Sequence, residues 1–302
     1  MSWVVLALLA AAVMGSVQIV DKIVLSKWRM TTAAYLLPLT GASLTAATIV
    51  VATVGVAACP WPFALLAMVC GGSMYGVIAL FYWVMRRLDA PVAAALFYIR
   101  TVFVAVLGAL VLGEVFGAGR YAGMSLVLVV TALLGFVGAP GREHRHVGWS
   151  AIAMTVAASL IAAVANVATK YGTTHVDAAT WFVFDRLGTI PAMLIALAPR
   201  RVREECVASI RSVGRRTSFL YFSEGFAMLG VWMMVHAVSL GPVTLVMVIF
   251  SSAPLFSTAL ILGLNALRPQ TVPDQGTRER LAPRVALILT GLAGIYLTVG
   301  GG

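Results

Sequence analysis

Charge is what this chain has least of: Asp, Glu, Lys and Arg make up 11% of its 302 residues. A soluble domain carries about 25%. With 61% of the residues hydrophobic, too few polar side chains remain to coat a water-facing surface. Lipid must solvate much of it. Cysteine is also scarce. Cys59, Cys70 and Cys206 have neither CxxC nor metal-ligand spacing, which argues against a disulfide framework and a cysteine-based metal site. Walker, HExxH and nucleophile-elbow sequences are missing. A self-contained ATP-driven pump is thereby disfavoured, no cofactor is expected, and the chain reads as a non-enzyme. The net charge of +10 lies in short basic runs between apolar stretches. Such runs follow from membrane topology and imply no nucleic-acid partner. The opening Met1-Ser2-Trp3-Val4-Val5 lacks the basic start of a signal peptide, so the first apolar stretch is expected to be a retained helix.

What the chain has in abundance is apolar runs. A helix needs about 20 residues to cross the bilayer core. Ten stretches meet that length, approximately 3–20, 33–56, 63–84, 91–112, 121–139, 147–169, 178–198, 217–239, 241–264 and 284–300. Asp89-Ala90-Pro91 and Leu240-Gly241-Pro242 are links so short that they force antiparallel neighbours. Arg200–Arg216 and Arg268–Arg284 are longer, polar, basic breaks. Each half has a fourth span opened by Pro-Val (Pro91-Val92, Pro242-Val243), and Lys22 closes the first span as Lys170 closes the sixth. Because five is odd, a second copy must run through the membrane upside down. The expected fold is therefore all-α and polytopic: ten transmembrane helices in two inverted five-helix repeats, residues 1–141 and 142–302. Inverted repeats place a substrate at their interface near the midplane. Gly141–His146 reads as a solvated hinge, with His144 and His146 there rather than in a metal site. Gly72 and Gly76 (a GxxxG), Gly291 and Gly294 mark close helix packing.

Ionisable residues at membrane depth cost about 3 kcal/mol each and usually face a cavity or a partner. Arg100 lies at the centre of the fourth span, Asp185 and Arg186 near the centre of the seventh, and Glu224 about two turns into the eighth. Gln18, Asn166, Lys170 and His236 are secondary candidates. A guanidinium grips carboxylate or phosphate in a fork, so Arg100 is expected to hold an anionic group of a substrate. Glu224 then holds an amine or carries a coupling proton, with Asp185 as a second proton carrier. The competing reading pairs Glu224 with Arg100 or Arg186 in a structural ion pair. Tyr75, Tyr98 and Trp232 are the aromatics expected in the cavity, and Ser251 occupies the position opposite Arg100 in the second repeat.

Leu112-Gly113-Glu114 after the fourth span, then Arg120-Tyr121-Ala122-Gly123 at the start of the fifth, resemble the drug/metabolite transporter superfamily in its ten-helix EamA branch. The resemblance runs over nearly the whole chain in helix order. It departs in the second half, where Asn265 stands opposite Glu114, and in the first, where Arg100-Thr101 replaces a mid-helix proline that Pro254 supplies in the second. The resemblance implies a secondary transporter of a small polar metabolite, an amino acid or organic anion, working as an exporter by alternating access. It also implies a bacterial-type inner membrane and a packing role for Arg186. Homodimerisation is left open. Residues 3–20 contain no acid, unlike small multidrug members of the superfamily, which argues against antiport of cationic drugs. The alternative is a membrane-embedded enzyme or flippase acting on a lipid-linked substrate.

The basic residues also predict an orientation. In a ten-span layout Lys22, Lys27, Arg29, Arg86, Arg87, Arg142, Arg145, the Arg200–Arg216 cluster and the Arg268–Arg284 cluster share one side, while the other has only Arg120 and Lys170. Basic loops stay cytoplasmic. Both termini are therefore expected to face outward, against the family's common arrangement.

Overall fold

Long runs of Ala, Val, Leu and Ile, free of helix-breaking residues for several turns, become helices because lipid offers the backbone no other hydrogen-bond partner. The structure, a computed structural model, describes residues 2–23, 31–85, 90–137, 149–214, 216–267 and 281–300. Among them are thirteen helices and no strand. They are α1 (Trp3–Ile23), α2 (Thr32–Thr53), α3 (Trp61–Met85), α4 (Ala90–Leu112), α5 (Ala118–Val137), α6 (Trp149–Thr173), α7 (Ala178–Leu187), α8 (Thr189–Ala196), α9 (Arg200–Val213), α10 (Arg216–Leu240), α11 (Val243–Phe250), α12 (Ala253–Leu267) and α13 (Leu281–Gly300). Seven stretches are long and apolar enough to cross a membrane, and an eighth appears if α7–α8 and the sharply bent α9 are taken together. Shorter apolar runs, Phe97–Leu112 and Ala118–Leu134, lie in α4 and α5. Each stretch expected from the sequence falls on one of these helices or on a broken pair. The hinge with His144 and His146, the 141/142 boundary and the runs Lys27–Arg29, Arg86–Arg87 and Arg268–Arg280 lie outside the described residues.

Two spans are broken where the sequence is read as a single stretch. α7 stops at Gly188 and resumes as α8; Pro191, with no N–H to give, removes the helical bond to Leu187. α11 stops at Phe250, and Ser251-Ser252 turn before α12 begins. Pro254 has no N–H for the Phe250 carbonyl. The Ser251 and Ser252 hydroxyls donate back to the Met247 and Ile249 carbonyls (2.7 and 2.5 Å). α2 carries Pro38 inside an unbroken helix.

Close backbone approach fixes these breaks in place. A side chain on Gly71 of α3 would run into the Asp185 carbonyl of α7, and one on Gly188 into the Met68 carbonyl of α3. A Cβ on Gly15 of α1 would stand 2.6 Å from the Ala253 carbonyl, at the α11–α12 break. The expected GxxxG is thus shifted. Gly71 and Gly72 make the contact, whereas a Cβ on Gly76 would meet nothing within 4 Å. Gly291 packs on Leu255, and Gly294 packs against Gly123 and Val127 along the α5–α13 seam, as their small size leads one to expect.

One end of the bundle is tied together by capping. Glu114, just past Gly113 (φ +69°), accepts from the Val243 and Thr244 N–H groups (2.7 and 3.0 Å) and so caps α11. Lys170 donates to the Val238 and Ser239 carbonyls at the end of α10 (2.9 and 3.3 Å). An anion at a helix N-terminus and a cation at a C-terminus both suit the helix dipole. Between them Gly241 lies against Trp3 of α1. At the same end Ala57 donates to Thr180 (2.9 Å), and Phe63 stacks on His175. Asp177 caps α7 by accepting from the Thr180 N–H (2.9 Å). Partial burial pushes its carboxyl up, but the Thr180 side chain and nearby N–H groups outweigh this and hold it below its ordinary value.

The opposite end corrects one expectation. Most of the Arg200–Arg216 break is not a loop: its first fourteen residues form α9, lying across the bundle end at 109° to the preceding span. Cys206 on its inner face is buried with Ala34, Tyr35 and Leu220, while Arg200, Arg201, Arg203 and Arg211 are exposed. The Thr31 N–H donates to Ser209 (3.2 Å), so the start of α2 is at this end too. Arg284, expected in a basic loop, is buried in the first turn of α13.

Candidate functional site

The expected site residues fall into separate groups. Arg100 is buried on α4 at 9% exposure, and its guanidinium carbon lies 4.6 Å from the Phe97 ring centre and 5.9 Å from that of Phe250. Such ring faces attract a cation but return no hydrogen bond. Its Nε is buried without a hydrogen-bond partner. Among the described residues no carboxylate pairs with it, so an ion pair to Glu224 is not what holds it. Tyr98, two residues away and half-buried, shares its electrostatic surroundings.

Thr101 and Ser251 are fully buried, and their hydroxyl oxygens are 2.7 Å apart. Because the Ser251 proton goes to the Met247 carbonyl, Thr101 must be the donor. Both hydroxyl protons are then spent, and Thr101 retains its acceptor lone pairs. The fourth span thus brings the donors of Arg100 and acceptor oxygens to the α11 break. Ser251 was expected here on repeat alignment alone. Phe97 and Phe250 were missed, as neither carries a polar signal.

The second group is built on α2, α3, α7 and α10. Glu224, 3% exposed, accepts a short hydrogen bond from the Tyr35 hydroxyl of α2. Met228, one turn further along α10, accepts from Ser43 (3.3 Å) and contacts an Arg186 nitrogen at 3.6 Å. Arg186 pairs with its neighbour Asp185 through two nitrogens, Nε at 2.8 Å, and its guanidinium carbon stands 5.5 Å from the Phe182 ring centre. Arg186 is therefore satisfied by Asp185, not by Glu224. Tyr35 was overlooked; its place three residues before Pro38 in an otherwise apolar helix was the available signal.

Two aromatics are committed to packing. Tyr75 is buried, accepts from Thr40 (3.1 Å) and donates to the Leu36 carbonyl (3.3 Å), so its hydroxyl ties α3 to α2. Trp232 meets Phe182 edge-on at 5.0 Å and His236 at 4.1 Å. Glu114, known from the sequence only as part of a motif, proves to be the α11 cap. Among the described residues no group of His, Cys, Asp and Glu is arranged to hold a metal.

These observations describe charged groups buried inside a bundle of apolar helices with two interrupted spans. Residues 1–136 match the EamA-like transporter family. The EamA-like stretch ends one residue short of the end of α5. It contains Arg100, Tyr98, Tyr75 and Tyr35, whereas Glu224, Asp185 and Ser251 lie beyond it. Members of that family are membrane transporters of small solutes. A protein of known crystal structure shares the fold across 99% of both chains, with a TM-score of 0.67 and 18% identity. No curated protein matches.

Proposed function

We propose that the protein is a secondary transporter of a small zwitterionic or anionic metabolite, an exporter working by alternating access through ten spans in two inverted repeats. The observation that carries the reading is Arg100: a buried guanidinium with no carboxylate partner among the described residues, beside a broken helix. A protein that retains so costly a group unpaired at depth has a use for it. Its N–H groups suit a substrate carboxylate, and the acceptor oxygens of Thr101 and Ser251 suit an ammonium, which favours an amino acid.

The packing supports the repeat. Exchanging α1–α5 for α6, α7–α8, α10, α11–α12 and α13 carries the contacts of α1 with α10 onto those of α6 with α3. It likewise carries α1 with α11–α12 onto α6 with α4, and α2 with α10 onto α7 with α3. The α5–α13 seam maps onto itself. Thr101 touches Ser251, the residue opposite Arg100. Contacts between near-equivalent residues are what a two-fold axis produces. A substrate at that axis is reached from either side.

Glu224 and Asp185 belong to the other polar group and serve as coupling residues in this scheme, with Tyr98 in the substrate wall and Tyr75 and Trp232 in its supporting packing. Reconstituted transport of the leading hit from a metabolite screen tests the assignment. Arg100→Lys keeps the charge but not the fork, and transport should fall by roughly tenfold or more, the loss of about 1.4 kcal/mol of differential recognition. Full activity in both Arg100→Lys and Arg100→Met would remove Arg100 from the site.

A further inference from the structure

The basic end of the bundle carries a groove that the transport reading leaves unused. It measures about 430 Å³ and runs between α2 and α10 beneath α9, lined by Leu37, Pro38, Ile210, Ser218, Tyr221 and Phe222. Phe222 is 74% exposed, as a lipid-facing side chain is. The groove's lining is mostly apolar. Above it, α9 lies across the bundle end. Arg200 and Arg201 are engaged by Glu204 and Glu205 one turn on (2.8 and 2.9 Å). Arg203 and Arg211 are exposed, have no carboxylate ion-pair partner among the described residues, and line a second hollow along α9 that also holds Glu204, whereas the α9 residue that reaches the groove is Ile210, next to Arg211. In the sequence Arg215-Arg216 follow directly.

We propose that this is a seat for an anionic phospholipid. The phosphate lies against Arg211 and Arg203, and an acyl chain follows the groove past Pro38. Two arginines free of carboxylates on an interfacial helix attract anionic headgroups rather than neutral ones. An apolar slot continuous with the bilayer fits a chain and not a soluble anion. Occupancy would brace α9 and the start of α10 against α2 without touching Arg100.

Native mass spectrometry of the purified protein with phosphatidylglycerol or phosphatidylcholine of identical chains tests this. Phosphatidylglycerol should be retained and phosphatidylcholine lost. Arg203→Gln and Arg211→Gln should each weaken retention about fivefold, and Ser218→Trp, which fills the groove and leaves the charge alone, should weaken it as well. Equal retention of the two lipids would overturn the proposal. So would a silent Ser218→Trp, which reduces the effect to diffuse surface attraction, or displacement by millimolar inorganic phosphate, which would make the site one for a free anion.

Discussion

Arg100 and the Asp185–Arg186 pair are both buried charges, yet their energetics run in opposite directions. An unpaired cation is a net cost to folding, about 3 kcal/mol by insertion scales. Arg100→Met should therefore leave the unfolding midpoint of the purified protein unchanged or raised while abolishing transport. Truncating one partner of a buried pair strands the other, at about 3–5 kcal/mol. Asp185→Ala should destabilise by that order, and the double variant with Arg186→Met should recover most of it. A thermal-unfolding series separates the two cases, and a large loss of stability in Arg100→Met would expose a structural role. Glu224→Gln keeps an acceptor for Tyr35 and removes the titratable proton. Reconstituted transport should then lose its response to an imposed pH gradient while the fold persists; an unaltered response would shift coupling to Asp185.

Elements were more legible than the breaks within them. Hydropathy finds every long apolar run because lipid demands it, but Ser251-Ser252 and Gly188 sit inside runs apolar enough overall to be read as single spans. Neither interruption leaves a hydropathy trace; only Pro254 and Pro191 hint at them. α9 was hidden for the opposite reason. Its arginines read as a loop, although Arg200–Glu204 and Arg201–Glu205 at four-residue spacing are a helical signature. That Arg100 packs on Phe250, and that Glu224 takes Tyr35, depends on contacts over a hundred residues apart in sequence, which no local pattern encodes. Two tests belong at this scale. Glu114→Ala uncaps α11 and should cost about 1 kcal/mol, read as a lower unfolding midpoint, with Glu114→Gln intermediate. Pro254→Ala restores a donor at the α11–α12 break and should stabilise the span while slowing turnover, if bending there is part of the cycle. An unchanged rate would make the break a static feature.

For the whole molecule the contacts sort the chain ends. Trp3, Ala57, Glu114, Lys170 and Gly241 gather at one end, and Thr31 with the arginines of α9 at the other. Among the described residues the α9 arginines thus lie at the end opposite Glu114 and Lys170. We expect the α9 end in the cytoplasm. An impermeant thiol reagent on intact cells should label Ser2→Cys and spare Ser212→Cys; the reverse pattern would invert the protein.

The same long-range pairing sets a timetable for biogenesis. Tyr35 leaves the ribosome 189 residues before Glu224, the carboxylate that receives its hydroxyl. At the chain's synthesis rate of about 5–20 residues per second, α2 waits on the order of ten seconds or more with that polar group unmet. Gly71 likewise waits for the α7 backbone, and α5 waits longer than Gly71 does, for α13. The nascent first half is thus a client for the insertion machinery rather than a finished unit. A stalled chain ending near residue 137 should remain cross-linkable to the translocon, whereas one extended past α10 should be released.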